Sequence, residues 1–271
     1  MNRFVPDLSS VPETMLLALH NRAGEANRPD GVLTDPDSVR IYEAIDYDFA
    51  LRFGTSEGSL AVRAVEIDRI LRQWLVNHPD GFVVSLGEGL ETQVRRVDNG
   101  RMRWLSVDLP EAIQLRECFI PPTDRFHHLA ASALDRSWMD AVEVSSGVFI
   151  VAQGLFMYLE PKTVRRLFVD IAERFSGAEI AFDVVPRWFS LLTLLGLQRT
   201  PNYRLPPMPW GINCDEIEAT LRRWHPLVGT VELLRYRMPR GVFHDLDPIL
   251  QLNPLFRNAV PNLVHVRLHR T

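Results

Sequence analysis

Gly87-Glu88-Gly89 follows the apolar run Phe82-Val83-Val84-Ser85-Leu86, and Asp108 closes a second run, Arg103-Trp104-Leu105-Ser106-Val107, nineteen residues after Gly89. Glycine lets a backbone pass close to a ligand because no Cβ intervenes. A carboxylate at the end of the next strand can accept both hydroxyl hydrogens of a ribose, and its charge opposes a 2′-phosphate. Together these features point to an adenosine-type ligand, either a dinucleotide or S-adenosylmethionine. The turn is neither GxxxxGK[ST] nor GxGxxG, because Thr92 stands three residues beyond Gly89. A pyrophosphate wants glycine N–H groups crowded at a helix N-terminus, and Glu88 inside the turn works against it. A sulfonium and an amino group tolerate a nearby carboxylate. Two plainer readings stand beside this one: a tight turn, and a helix cap in which Asp108 accepts N–H groups at the start of the segment 110–119.

These residues need a parallel sheet to position them. Phe82–Leu86, Arg103–Asp108, Phe126–Ala130, Gly147–Ala152 and Ala178–Asp183 are short apolar runs that read as strands. Helical segments alternate with them, at Pro110–Phe119 and from Pro161 through Ile171. That alternation predicts a parallel sheet covered on both faces. Before it, the first 80 residues read as helical: one helix after Pro12, one opened by Asp35-Pro36 with Asp35 as cap, and a longer one after Gly58, stopped by His78-Pro79-Asp80-Gly81. Beyond the fifth strand, Asn213–Trp224 reads as a helix, Leu227–Leu234 as a strand, His244–Leu250 as a short helix, and Asn262–His269 as an edge strand. Four prolines between Arg199 and Gly211 exclude a regular helix or central strand there.

The 271 residues, 46% hydrophobic and 24% charged, exclude wholesale disorder. A net charge of −4 and a pI near 6.1 give no general field for nucleic acid. Arg95-Arg96 and Arg222-Arg223 read as solvated helix faces. The two cysteines, Cys118 and Cys214, are distant, which excludes a disulfide framework or a cysteine zinc cluster. No run of 18 apolar residues occurs, and Met1–Asp7 lacks the apolar core and cleavage site of a signal peptide. The expectation is a cytoplasmic protein with a small-molecule substrate, no nucleic-acid or membrane partner and no metal.

The sequence resembles the leucine carboxyl methyltransferase-like family, in particular its bacterial branch of polyketide O-methyltransferase-like (tetracenomycin-type) proteins. The matching residues run in order: Asn21-Arg22-Ala23 with Arg28-Pro29-Asp30, Asp35-Pro36, Arg63 and Asp68, Ser85 to Thr92, Trp104 to Glu111, Ala131 to Asp135 with Trp138, and Val151 to Leu159. The resemblance covers roughly residues 10–235 and implies an α/β fold, that of a class I S-adenosylmethionine-dependent methyltransferase. Its Rossmann-like sheet has seven strands, mostly parallel with the last antiparallel, and an added N-terminal helical region. It divides the chain into a helical, substrate-side region at 1–80 and a methyltransferase core at 81–271, with an insertion around 186–212. It also implies S-adenosylmethionine as cofactor. Gly87, Glu88 and Gly89 would approach its methionine part, and Asp108 with Leu109 would hold the ribose. Ser132, Ala133 and Leu134 would lie by the adenine, Gln153 would face the methyl, and Arg22 or Arg63, with Arg63 preferred, would hold the carboxylate.

Three residues depart from the family pattern: Glu88 for alanine, Glu91 for aspartate and Gln153 for glutamate. A glutamine can only hydrogen-bond where a glutamate attracts a cation, and Glu88 or Glu91 is the candidate for the displaced charge. The implied reaction is methyl transfer to oxygen. A carboxylate acceptor is ionised at neutral pH and needs no base; a phenol benefits from one, with His20, His127, His128 and Tyr158 as candidates. Tyr158, Trp188, Phe189, Tyr203 and Trp210 would suit a flat or apolar acceptor, and Arg187, Arg199 and Arg204 could clamp a carboxylate. Two other readings stay open at this point, a non-catalytic protein on the same fold and an NAD-dependent oxidoreductase.

Overall fold

The structure is a computed structural model that describes residues 4, 11–234, 239–240, 258 and 260–270. The readings of Met1–Arg3, Val5–Asp7 and His244–Leu250 lie outside the described residues. The chain opens with helices α1 (Thr14–Ala26), α2 (Pro36–Ala44), α3 (Phe49–Phe53) and α4 (Ser59–Asn77). Asp35 caps α2 as its position before Pro36 predicts, its Oδ1 accepting the Ser38 N–H at 3.0 Å. Strand β1 (Phe82–Leu86) follows, then α5 (Gln93–Val97), β2 (Arg103–Asp108), α6 (Pro110–Glu117), β3 (Phe126–Ala130), β4 (Val148–Ala152), α7 (Pro161–Arg174), β5 (Glu179–Val184) and α8 (Arg187–Leu194). A two-stranded ribbon, β6 (Gln198–Thr200) and β7 (Tyr203–Arg204), occupies the start of the proline-rich segment. The chain continues through α9 (Cys214–Trp224), β8 (Val228–Leu234) and β9 (Asn262–Leu268).

The main sheet has the order β3-β2-β1-β4-β5-β9-β8. Strands β1 to β5 are mutually parallel, and β9 runs antiparallel to both neighbours. The sequence reading of Asn262–His269 as an edge strand is corrected: β9 lies between β5 and β8, and β8 forms the edge. The burial pattern explains this, because β9 is buried at every residue but Arg267 while β8 is buried only at Val228 and Gly229.

The four inner parallel strands, β1, β2, β4 and β5, are buried along most of their length and divide their side chains between two cores. Val84, Leu86, Ile150 and Ala152 pack with α7 and α9. Val83, Phe149 and Val151 pack on the opposite side with Leu16 and Leu19 of α1 and Ile67 and Leu71 of α4. The N-terminal helices thus share a core with the sheet. Burying each such large apolar side chain contributes about 1.5–3 kcal/mol. The strand order reverses between β1 and β4, the place where open parallel sheets leave a crevice at their carboxyl ends.

Candidate active site

A cleft of about 830 Å³ opens at the carboxyl ends of β1, β2, β4 and β5, with α1 and α8 on its far walls. The turn after β1 forms its floor. Gly87 and Gly89 have φ of +65° and +53°, in the left-handed region that side chains disfavour. A Cβ on Gly87 would stand 3.0 Å from Leu155 Cδ1, and one on Gly89 would stand 2.8 Å from Met15 Cβ. The glycines are therefore required by close packing as well as by conformation.

Asp108 sits beside this turn. Its Oδ2 accepts the Gly89 N–H at 2.7 Å and its Oδ1 accepts the Leu109 N–H at 2.8 Å. It is not the cap of α6, whose capping position is Leu109 with no side-chain cap bond. Burial raises its pKa, against which the two backbone N–H groups favour the charged form. Each oxygen keeps a further lone pair, and Asp108 lines the cleft.

Glu88 is turned the other way. Its side chain is fully buried under the turn, with Oε1 3.0 Å from Arg116 Nη2 and Oε2 accepting the Trp104 indole N–H at 3.1 Å. The expectation that Glu88 places its charge near a ligand is corrected: only its backbone can meet the cleft, and Arg116 balances its charge. Arg116 also donates to the carbonyls of Gly89 and Glu91 at 2.9 and 2.6 Å, so one guanidinium fastens the turn from below.

Behind the turn lies a buried charge network. Arg96 donates to Asp68 Oδ2 at 2.7 Å and to Asp35 Oδ2 and Glu91 Oε1 at 2.8 Å each. Arg22 reaches Glu91 Oε2 at 3.0 Å and the Leu90 carbonyl at 2.8 Å. The reading of Arg96 as part of a solvated face is corrected, since its side chain is 5% exposed while Arg95 is exposed. Burial opposes the charge on Glu91, but Arg22 and Arg96 outweigh it and hold its pKa down to about 2. Gln153 Nε2 donates to Glu91 Oε2 at 3.1 Å. On the adjacent wall, Arg63 from α4 donates to Asp183 Oδ2 at 2.5 Å, while Asp183 Oδ1 accepts the Gly154 N–H at 2.6 Å. Asp183 was not singled out as a site residue from sequence. The signal available was its likeness to Asp108, an acidic residue ending an apolar strand.

Arg22, Arg63, Gly87, Glu88, Gly89, Asp108, Leu109, Ser132, Ala133, Leu134 and Gln153 all border the one cleft. Tyr158 and Trp188 do as well, Trp188 half exposed with its indole N–H donating to the Asn258 carbonyl at 3.1 Å. Tyr203 and Trp210 do not, which corrects their assignment to the acceptor pocket. Tyr203 is buried edge-on against Phe53, and Trp210 packs among Phe156, Phe182 and Trp224. Both anchor the proline-rich segment by apolar burial. Phe189, the other aromatic residue expected there, does line the cleft, together with Met157 and Met208, which the sequence reading did not single out.

No histidine or lysine lines the cleft among the described residues. His20 packs against Tyr42 and Phe49, His127 is exposed, and the His128 side chain is buried against Arg116, its pKa pushed down to about 4 by burial and by that charge. Burial raises the Tyr158 phenol to about 12. Of the three arginines proposed as clamps, Arg199 borders the cleft, beside Glu57 at 3.2 Å; Arg187 pairs with Glu216 elsewhere. Among the described residues no helix is long and apolar enough to cross a membrane, and no group of three His, Cys, Asp or Glu could hold a metal ion.

No family model matches the chain. It is 30% identical over 184 residues to the tetracenomycin polyketide synthesis O-methyltransferase TcmP of Streptomyces glaucescens, covering 67% of this chain and 68% of that protein. It is 27% identical over 199 residues to the S-adenosyl-L-methionine-dependent methyltransferase dpfgK of Gibberella zeae, covering 65% and 66%. Among solved structures it is similar to the plantazolicin methyltransferase BpumL in complex with S-adenosylhomocysteine, with a TM-score of 0.52, 11% identity, and coverage of 96% and 99%. The seven-stranded sheet, the glycine turn with its acidic neighbour, and the relationship to TcmP lead to one assignment: the chain belongs to the class I S-adenosylmethionine-dependent methyltransferases.

Proposed function

We propose that the chain transfers a methyl group from S-adenosylmethionine to an oxygen, a carboxylate or hydroxyl, of a small apolar molecule of polyketide-like type. The observation that carries the reading is the Asp108 carboxylate, tied to the Gly89 N–H at 2.7 Å with lone pairs left on the cleft. The buried, unpartnered Gln153 Oε1 and the glycine floor, which a Cβ would fill, fit the nucleoside and its amino-acid tail. Asp108 would take the ribose hydroxyls, with Leu109 beside it. Ser132, Ala133 and Leu134 would flank the adenine. The backbone of Gly87, Glu88 and Gly89 would run along the methionine part, with Arg22, Arg63 and Gln153 at its end. Tyr158, Trp188, Phe189, Met157 and Met208 would wall the acceptor, and the helices of 1–80 would close over it.

When bound, the cofactor supplies an electrophilic methyl on a sulfonium. The chain's own contribution is alignment and exclusion of water. Among the described residues its cleft offers an acceptor no ready proton acceptor: Asp108 would be taken up by the ribose, Glu57, Glu88, Glu91 and Asp183 are each paired with an arginine, and a phenol near 12 stays protonated at neutral pH. This favours an acceptor that is already ionised, a carboxylate before a phenol. The tetracenomycin-type branch supports a polyketide-like molecule. Calorimetric titration with S-adenosylmethionine, S-adenosylhomocysteine and NAD tests the reading. Binding of the two sulfur compounds, lost in Asp108→Ala, with no heat from NAD, is the expected result. Absence of binding by both sulfur compounds refutes it.

A further inference from the structure

Gln153 stands where the resembled family usually has glutamate, and Glu91 where it has aspartate. The structure joins these two departures. Gln153 Nε2 donates to Glu91 Oε2 at 3.1 Å. The same carboxylate is held by Arg22 at 3.0 Å, by Arg96 at 2.8 Å and by the Thr92 N–H at 2.9 Å. With two guanidiniums on it, Glu91 carries no proton, and a bare carboxylate can only accept. The amide of Gln153 must therefore turn its NH2 toward Glu91 and its Oε1 away. That Oε1 is buried and has no hydrogen-bond partner, and Gln153 borders the cleft. A desolvated acceptor left without a donor is unfavourable and is relieved by a ligand that donates.

We propose that Glu91 is a positioning residue, which locks the Gln153 amide so that Oε1 accepts from the ammonium group of the cofactor's methionine end. The proposal rests on the cofactor reading above. The negative charge that a glutamate would carry at 153 sits instead at 91, anchored by two arginines, and reaches the ligand as an oriented dipole. The extra methylene of glutamate over aspartate gives position 91 the reach to touch Gln153.

The test compares two ligands by calorimetry on the full chain. S-adenosylhomocysteine carries the ammonium; 5′-methylthioadenosine has the same nucleoside without it. In Glu91→Gln the amide at 153 is free to reverse. The expected result is S-adenosylhomocysteine binding weakened roughly 10- to 100-fold, as for loss of a hydrogen bond to a charged group. Binding of 5′-methylthioadenosine should stay within about threefold. Glu91→Asp keeps the charge on Arg22 and Arg96 but withdraws from Gln153, and should show the same selective loss even where Glu91→Gln does not fold. Adding Gln153→Glu to Glu91→Asp supplies a carboxylate directly and should restore S-adenosylhomocysteine binding. Equal losses for both ligands, or no rescue by the second substitution, overturn the proposal while leaving the cofactor reading intact. Failure of the wild-type chain to bind S-adenosylhomocysteine overturns both.

Discussion

Arg96 offers the most demanding test of the electrostatics behind the cleft. Arg96→Met keeps an unbranched apolar stem and removes the guanidinium that three buried carboxylates share. Asp35 and Glu91 are then left with Arg22, at 3.7 and 3.0 Å, and Asp68 with the Gln93 amide and a longer contact to Arg72 at 3.8 Å. Breaking a buried pair in this way costs about 3–5 kcal/mol. For a chain of this length that is a fall in Tm of about 5–9 °C. The loss must also depend on pH. In the native wild type Glu91 is held at about 2, below its ordinary value of 4.5. Its contribution is therefore complete above the unfolded pKa and is lost as pH falls toward the folded one. Asp68 is already raised by burial, with Arg96 as the main group opposing that rise. Without Arg96 the native carboxylates take up protons at a pH where the unfolded chain does not. The variant's deficit relative to wild type should accordingly shrink as pH is lowered from about 7.5 to about 5. Urea unfolding at both pH values measures it. A deficit below about 1 kcal/mol, or one equal at the two pH values, would refute the account of Arg96 as the shared counter-ion.

Two further outcomes follow from the cleft itself. Gly89→Ala forces a side chain to φ +53° with its Cβ 2.8 Å from Met15 Cβ. It should weaken S-adenosylhomocysteine binding more than about tenfold, whereas Gly100→Ala, at φ +81° with nothing within 4 Å, should incur the backbone cost of about 1–2 kcal/mol and leave binding unchanged. Tyr158→Phe should keep methyl transfer within about fivefold of wild type, with no change in its pH profile between about pH 6 and about pH 9, because a phenol near 12 is no base there. A loss of about 100-fold or more in an assay of labelled methyl incorporation would return Tyr158 to the acid–base role.

The strands, the glycine turn and Asp108 were legible from sequence because each is a local signal. Apolar runs of strand length, glycine at a chain reversal and an acid at a strand end depend on residues within a few positions of each other. The helix starts at Asp35-Pro36 and Pro110 were legible for the same reason. What sequence could not fix was the direction of side chains whose partners are remote. Glu88 is chosen inward by Arg116 and Trp104, Arg96 by Asp35 and Asp68, and the Gln153 amide by Glu91. Tyr203 and Trp210 have the composition of an acceptor wall, yet packing against Phe53 and against Phe156 and Phe182 takes them into the core. The place of β9 inside the sheet likewise rests on pairing with β5, some eighty residues earlier in the chain. The sequence by itself determined the glycine turn at the end of the first strand and the acid at the end of the second, the pair that points to a seat for an adenosine-type ligand. Only the tertiary structure decided which charges face that seat, because a charge is turned by the partner it meets in space, and those partners are brought together by the sheet order.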